Sequence, residues 1–383
     1  MEGWEFSYPI LKLNENSHLI FSFDDLDIQG KTYNYTIIQC NADWIASRES
    51  FNEYMDGFPE NQITDYQSSL STNISYTHYS LSIPNDNVNL KISGNYALIV
   101  YADKDEDHPI LIKRFVVSEE RVKIQALERR PILPKYQNTH QQIDFSIFNP
   151  DYNIDDPQGT VKIIIVKNNQ WKYSITDLIP LYIKDRELIY TYDDKTLFNG
   201  SNEFRSFDIK ALKYQSANIA SIKFVDSSYH VEIHTDIPRL KQGYFYNEDF
   251  NGKYFIENKE GSQSALDAEY VHVQFNFQAD PFIDGDIFLY GAFTNYNCSD
   301  LNKMHYNTDK NLFEKDILVK QGLYNYIYAF RPNGTSDIDD TYFENSFYET
   351  ENDYIIYVYH RAFDSRYDKL IGVKIINSLK KTN

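Results

Sequence analysis

The sequence has few cysteines, only Cys40 and Cys298 among 383 residues. They lie far apart, and no Cys-x-x-Cys or Cys/His pattern surrounds either, which excludes a disulfide framework and a structural zinc site. The chain also lacks an apolar run of about 18 residues, the length of a membrane-spanning helix. It opens on Met1-Glu2-Gly3-Trp4, without the basic start and apolar stretch of a secretory signal. We therefore expect either a cytoplasmic protein or one whose export signal has been removed.

Basic residues are scarce relative to acidic ones. Lys and Arg number 37 against 56 Asp and Glu, so the formal net charge is −19. A protein that follows the phosphates of a nucleic acid needs positive patches, and so does one that docks on an anionic membrane. We therefore expect no nucleic-acid partner and no direct insertion into a membrane.

Catalytic signatures are missing as well. The sequence contains no nucleophile elbow, P-loop, dinucleotide-binding fingerprint or kinase motif. His230 and His234 flank Glu232, but the apolar residues between them indicate a strand, on which positions i and i+4 are about 13 Å apart. Two ligands at that distance cannot share one zinc ion. We predict no enzyme activity, metal or cofactor, although a hydrolytic pair of carboxylates would be visible only in three dimensions.

The acidic run Asp103-Lys104-Asp105-Glu106-Asp107 looks like the start of a calcium-binding loop. Such a loop needs glycine at its sixth position and a bidentate glutamate at its twelfth. This sequence lacks the glycine and has Arg114 at the twelfth position. Because strand-like segments, Tyr96–Tyr101 and Leu111–Val117, lie on either side, we predict that the run is the solvated tip of a hairpin.

Aromatic residues, in contrast, are abundant: 33 Tyr, 25 Phe and 3 Trp. Such rings suit a pleated, half-buried surface. Apolar and polar residues alternate with a period of two in many short segments, among them Tyr79–Ile83, Ile143–Ile147 and Val271–Phe277. This pattern, with turn residues between the segments, predicts an all-β protein built of sandwiches.

Breaks in the pattern divide the chain into three. Ser118-Glu119-Glu120-Arg121 ends one set of strands, and the polar stretch Glu257–Ser264 is typical of a linker. We predict tandem β-sandwich domains of immunoglobulin or fibronectin type over residues 1–120, 121–264 and 265–383.

The segment from Cys40 to Tyr66 does not alternate cleanly, yet it is rich in large apolar side chains. A long irregular segment of this kind either folds back on its own sandwich or presents anchors to a partner, since such loops are often functional and rings dominate binding hot spots. Both alternatives remain open. If the segment binds a partner, the candidate interface residues are Trp44, Phe51, Tyr54, Met55, Phe58 and Tyr66.

The last predicted domain resembles the early-set immunoglobulin-like domains, which include glycogen- and starch-binding modules. The resemblance rests on Tyr290–Tyr296, Met304, Phe313 and Gly322–Tyr326. Those modules commonly have a tryptophan where Tyr296 stands and stack sugar on exposed tryptophans, and this domain has none. The resemblance implies the fold, and it makes a carbohydrate-binding periplasmic or surface protein the alternative function.

A second resemblance covers roughly residues 5–374. The chain resembles the plug protein family of the type IX secretion system of Bacteroidetes, in the order and number of these segments: Tyr35–Trp44, Tyr54–Phe58, Ile63–Tyr66, Leu90–Tyr96, Thr139–Phe145, Asn202–Asp208, Tyr348–Tyr354 and Arg366–Gly372. The resemblance implies a non-enzymatic periplasmic protein that closes the periplasmic mouth of the outer-membrane translocon barrel when no substrate is passing. Family members carry a signal peptide, so this chain is expected to be the mature part. The family offers no catalytic or ligand residues to carry over.

Overall fold

A computed structural model describes residues 8–27, 31–103, 105–281 and 284–379. Strands make up 46% of the structure and helices 6%, and each of the three α-helices, α1 (Phe51–Tyr54), α2 (Pro157–Thr160) and α3 (Ser264–Asp267), is a single turn. The predicted all-β fold of tandem β-sandwiches is confirmed. Within the described ranges, no helix has the length and apolar character needed to cross a membrane.

The strands form three groups, which we call the first module (residues 8–120), the second module (121–203 and 350–379) and the third module (204–349). In the first module, a five-stranded sheet β1-β10-β9-β3-β5 packs on the three-stranded sheet β2-β7-β6, and β4 pairs with β8. The bounds are β1 Ile10–Lys12, β2 Leu19–Asp25, β3 Tyr33–Cys40, β4 Met55–Gly57, β5 Asn61–Gln62, β6 Asp65–Ser68, β7 Thr77–Ile83, β8 Val88–Leu90, β9 Gly94–Ala102 and β10 Leu111–Ser118.

Alternation explains how these strands build a core. In β7 the side chains of Tyr79, Leu81 and Ile83 are buried, and they meet Tyr35 and Leu98 from the opposite sheet. The predicted hairpin is also present, because β9 and β10 pair antiparallel on either side of the acidic run. Lys104, within that run, lies outside the described residues.

The second module is discontinuous in sequence. Its sheet β11-β12-β15-β14, with β16 beside β12, faces the three-stranded sheet β13-β26-β27. The bounds are β11 Lys123–Arg129, β12 His140–Phe148, β13 Val161–Lys167, β14 Tyr182–Lys184, β15 Glu187–Tyr190, β16 Leu197–Asn199, β26 Asp353–His360 and β27 Lys369–Asn377.

The third module is inserted between β16 and β26. One sheet has the order β17-β25-β20, with β22 also on β25, and the other has the order β18-β19-β21-β24-β23. The bounds are β17 Arg205–Asp208, β18 Ile219–Val225, β19 Ser228–Ile233, β20 Tyr254–Ile256, β21 Tyr270–Phe277, β22 Gly285–Tyr290, β23 His305–Asn307, β24 Leu312–Lys320 and β25 Gly322–Pro332.

This arrangement corrects the predicted division at residue 264. β26 pairs with β13 and β27 pairs with β26, and side chains of both strands fill the core of the second module. The polar stretch 257–264 is a loop inside the third module, where the Asn258 side chain donates to the Asp267 carbonyl at 2.8 Å. We therefore propose the three modules defined above in place of the domains 121–264 and 265–383.

Gly200 stands where the chain leaves the second module, and its position requires the absence of a side chain. A Cβ atom added there would lie 1.9 Å from the backbone oxygen of Phe347. The added atom would force the two backbone segments apart. At Gly243, no atom lies within 4 Å of such a Cβ.

We expect Gly200→Ala to lower the free energy of unfolding by about 1–3 kcal/mol, the usual cost of forcing extra volume into a packed site. Urea unfolding followed by far-UV circular dichroism measures this loss. Gly243→Ala is the matched control and should change stability by less than about 0.5 kcal/mol. Equal stability of the two variants would contradict the close approach.

Candidate partner-binding surfaces and the junctions between modules

Three of the six candidate interface residues pack within the first module. Met55 is 1% exposed and belongs to the core. Phe51 and Tyr54 contact each other edge to face at 5.8 Å and pack against the same core, and the Tyr54 hydroxyl donates to the Ile37 carbonyl at 3.2 Å. For these residues the structure shows self-packing.

Trp44 joins the first module to the second. Its ring meets that of Trp171 edge to face at 4.9 Å, and the Arg114 guanidinium lies 4.7 Å from its centroid. Trp171 in turn stacks on Tyr357 at 4.9 Å. The backbone of Trp44 has φ 65°, a left-handed conformation that is costly for a bulky residue. The surrounding contacts hold it there.

Phe58 and Tyr66 are the members of the set that solvent reaches most freely. Their exposed fractions are 63% and 56%. Tyr66 keeps one neighbour, Tyr79, whose ring centroid is 5.4 Å away. The six candidate residues of segment 40–66 therefore lie in three different settings: the core of the first module, the junction with the second module, and the exposed surface. The sequence pattern could not separate them, because spacing does not tell which module a side chain meets.

The junction between the first and second modules has its own apolar core. Tyr8, Ala42 and Val116 pack there against Ile164 and Tyr357, with further residues of β26 and β27. Polar groups fix the register of this contact. The Tyr359 hydroxyl donates to Asn95 Oδ1 at 2.7 Å, and the buried Asp368 carboxylate accepts the Ala42 amide at 2.9 Å and Arg361 Nε at 2.8 Å.

The first and third modules meet through charged and backbone groups. Glu269 accepts the amides of Asn73 and Ile74 at 2.8 and 3.1 Å. Lys320 Nζ lies 2.6 Å from Asp24 Oδ2, and both side chains are buried. Burial alone would raise the pKa of Asp24, but hydrogen bonds from His78 and Lys320 lower it. Removing one partner of a buried ion pair strongly destabilises the fold, because the other charge is left buried and unpaired.

The second and third modules are joined by two neighbouring passages of the chain, residues 200–204 and 345–352. The Phe347 amide donates to the Ser201 carbonyl at 2.9 Å, and the Thr350 hydroxyl donates to the same oxygen at 2.8 Å. Asn352 Nδ2 donates to the Gly200 carbonyl at 2.8 Å. Each passage therefore holds the other in place.

Two buried carboxylates lie at these passages. Glu203 Oε1 accepts the Tyr244 hydroxyl at 2.5 Å and the Glu351 amide at 3.0 Å. Asp249 accepts the amides of Phe204 and Asn251. Burial raises the pKa of Glu203, and burial with the nearby Glu203 charge raises the pKa of Asp249 to about 7.

This pair does not form the cleft that a hydrolase needs. Glu203 is 1% exposed and Asp249 is 8% exposed. Their oxygens already accept backbone amides and a tyrosine hydroxyl, so no substrate oxygen can approach both. The arrangement is suited to holding the two passages together. The sequence did not predict this pair, because acidic residues are so common in the chain that no single pair stands out.

The rings around Tyr296 bear on the carbohydrate alternative. The Tyr296 hydroxyl donates inward to the Asn251 carbonyl at 2.9 Å. Its ring meets the fully buried Tyr290 at 5.6 Å with 65° between their planes. A sugar-stacking platform needs exposed ring faces, and these two residues do not provide it.

The histidines singled out in the sequence do not come together. His230 lies on β19 with its ring stacked on that of His272, 4.8 Å away on the neighbouring strand. His234 follows the end of β19. No group of three or more His, Cys, Asp or Glu side chains among the described residues is placed to hold a metal ion.

Several openings lie where the modules meet, and two of them adjoin Trp171. The first, which we call the β13 cleft, has a volume of about 710 Å³ and is lined by residues of the first and second modules, including Trp44, Arg114, Ile163, Trp171 and Lys172. The second, the central cavity, has a volume of about 740 Å³ and touches all three modules. Both are within the usual size range of ligand sites, and Arg114, Trp171 and Lys172 line both.

Three junctions therefore connect the modules, and the fold defines a protein of three β-sandwich modules. Residues 1–119 match the family described as "Type 9 secretion system plug protein 1st domain". The chain is 36% identical to the protein in a crystal structure titled as a hypothetical protein from Parabacteroides merdae, with a TM-score of 0.93 over 97% of this chain and 94% of that chain. A search of curated proteins finds no match. The chain belongs to the type IX secretion system plug protein family.

The buried acid pair makes stability depend on pH. Both carboxyls bind protons more tightly in the folded chain than in the unfolded chain, where such groups have a pKa of about 4. Their stabilising contribution is therefore complete below about pH 4 and is lost as pH rises through their raised pKa values, which for Asp249 is about 7. In Glu203→Gln, the amide oxygen keeps the partners of Oε1, while the amide nitrogen can donate to Asp249.

We expect Glu203→Gln to match the wild type in stability near pH 5 and to exceed it at pH 8. Urea unfolding at several pH values measures the difference. Asp364→Asn removes one negative charge at an exposed position and should give a curve parallel to that of the wild type. A parallel curve for Glu203→Gln as well would contradict the role of the acid pair.

Proposed function

We propose that this protein docks on the periplasmic opening of the outer-membrane translocon barrel of the type IX secretion system and seals it when the barrel is idle. It acts without catalysis, in the periplasm and in association with the outer membrane. Membership of the plug family supports this role. The observation that carries the proposal is the closed set of junctions, because each module contacts both of the others.

Rigidity matters to a seal for a physical reason. A cap that flexed between its modules would open gaps for water and solutes. Here an apolar core with buried hydrogen bonds joins the first module to the second. A buried ion pair joins the first to the third. The Phe347 amide donates to the Ser201 carbonyl and the Asn202 side chain to the Glu344 carbonyl, and these bonds join the second to the third. Bending at any one junction would strain the other two.

We propose that Phe58 and Tyr66 form part of the contact with the barrel. They are the candidate residues that a partner reaches without disturbing the core, and exposed rings are typical binding anchors. Trp44, Phe51, Tyr54 and Met55 would act indirectly, by holding this surface in place.

The sealing role is tested with the purified barrel in a planar lipid bilayer. Addition of the protein on the periplasmic side should lower the conductance of the barrel in proportion to occupancy. Unchanged conductance at concentrations where the two proteins co-purify would overturn the sealing role and leave only the association.

The docking surface is tested with Phe58→Ala/Tyr66→Ala. We expect at least a tenfold weaker affinity for the barrel, because loss of a hot-spot ring costs about 2 kcal/mol or more. Surface plasmon resonance on the detergent-solubilised barrel measures this change. The control Tyr214→Ala/Phe224→Ala removes two rings of comparable exposure from the third module, and it should bind as the wild type does. If both double variants bind equally well, Phe58 and Tyr66 are not anchors.

A further inference from the structure

The central cavity has a charge pattern opposite to that of the whole chain. Among the residues that the structure describes, its charged lining residues are Lys113, Arg114 and Lys172, and none of the lining residues is an aspartate or glutamate. The protein as a whole carries 56 acidic residues and a net charge of −19. A local cluster of cations in such a protein creates a region of positive electrostatic potential, which attracts anionic groups.

The three cations contact neutral groups. Lys113 Nζ donates to Asn295 Oδ1 at 3.0 Å and Lys172 Nζ to the Ser336 carbonyl at 2.8 Å, while Arg114 lies over the Trp44 ring. In the part of the chain that the structure describes, none of the three forms an ion pair. Partial loss of hydration lowers the pKa of Lys113 and of Arg114, as expected for cations without a carboxylate beside them.

The acidic residues of the adjoining β13 cleft are occupied locally. Asp43 Oδ1 accepts the Ile45 amide at 3.1 Å, and Asp177 Oδ2 accepts the Thr176 hydroxyl at 2.9 Å. The remaining cation of the cleft, Lys162, pairs with Asp368 at 3.3 Å. Arg114 and Lys172, which both openings share, are thus the cations available to a ligand in the cleft.

The β13 cleft also presents a strand edge. β13 is the terminal strand of the sheet β13-β26-β27. On the side away from β26, Ile165 exchanges two backbone hydrogen bonds with Ile175, both 2.9 Å long. By the two-residue period of a strand, the N–H and C=O of Ile163 face the same side. No strand of the described chain pairs with that edge at Ile163.

Backbone groups on a free edge favour a polypeptide ligand over a small anion. A peptide in extended conformation can add to such an edge through main-chain hydrogen bonds, while neighbouring side chains supply specificity. The indoles of Trp44 and Trp171 offer apolar contact beside this edge. Arg114 and Lys172 stand between the cleft and the central cavity, so an extended segment would pass them in running from one opening to the other.

We propose that the β13 cleft and the central cavity together bind an extended acidic segment of a partner chain, which adds a strand to β13 and places its carboxylates on Lys113, Arg114 and Lys172. This inference goes beyond the sealing role. It is tested without the barrel, so the failure of either proposal leaves the other intact.

The probe is an N-acetylated, C-amidated octapeptide of alternating glutamate and valine, compared with its glutamine–valine counterpart. Trp44 and Trp171 line the groove and report binding through tryptophan fluorescence. We expect at least tenfold tighter binding of the glutamate peptide at low ionic strength, with weakening as salt is added. N-methylation of alternate backbone nitrogens in the glutamate peptide should abolish binding if the peptide pairs with β13.

The variant Arg114→Gln/Lys172→Gln should lose at least tenfold in affinity for the glutamate peptide. Both residues are exposed, and thermal unfolding confirms that the variant is folded. If the double variant does not fold, peptide affinity is measured with the single variant Lys172→Glu instead. The matched control Lys123→Gln/Lys223→Gln changes the net charge equally at two other exposed positions and should bind as the wild type does. Equal binding of the two peptides, retained affinity in the double variant, or tolerance of N-methylation would each overturn the proposal.

Discussion

The paired passages between the second and third modules are the constraint on which the rest of the structure depends. Because the third module is inserted into the second, the chain must leave and return at one place. Gly200 allows the two segments to approach, and Ser201, Thr350 and Asn352 bond them together. With both of its ends fixed, the third module is held where Glu269 and Lys320 can reach the first module. The closed arrangement of three modules follows from this single crossing.

The abundance of tyrosine has a structural explanation in these junctions. A tyrosine buries an apolar ring and still carries a hydroxyl that can reach a polar partner. Several do so across module boundaries: Tyr8 donates to Asp353, Tyr270 to Asp24, and Tyr359 to Asn95. The ring supplies the apolar area of the contact, and the hydroxyl fixes its register. Many of the tyrosines are therefore used inside the body, while other rings, such as those of Tyr66 and Tyr214, stay exposed.

Local sequence patterns predicted the strands well and the connectivity poorly. Alternation identified Tyr79–Ile83 and Val271–Phe277 because the two-residue period is set by the backbone itself. The pairing of β13 with β26, about 190 residues away in the chain, leaves no local signal, and for this reason we propose the three modules in place of the division at residue 264. The six candidate interface residues were chosen by ring density, which does not distinguish a core methionine such as Met55 from an exposed ring such as Phe58. The acid pair and the cations of the central cavity come from distant segments, and only the folded chain brings them together.

The inserted position of the third module also sets an order of assembly. A chain that emerges from its amino end presents every strand of the first module within its first 120 residues, and domains generally fold as units as they emerge. The second module must wait, because β26 and β27 supply one side of its core and appear only after the whole third module. During that interval the apolar side of β13 stays uncovered. The β26–β27 hairpin therefore completes the core of the second module, after the third module has emerged.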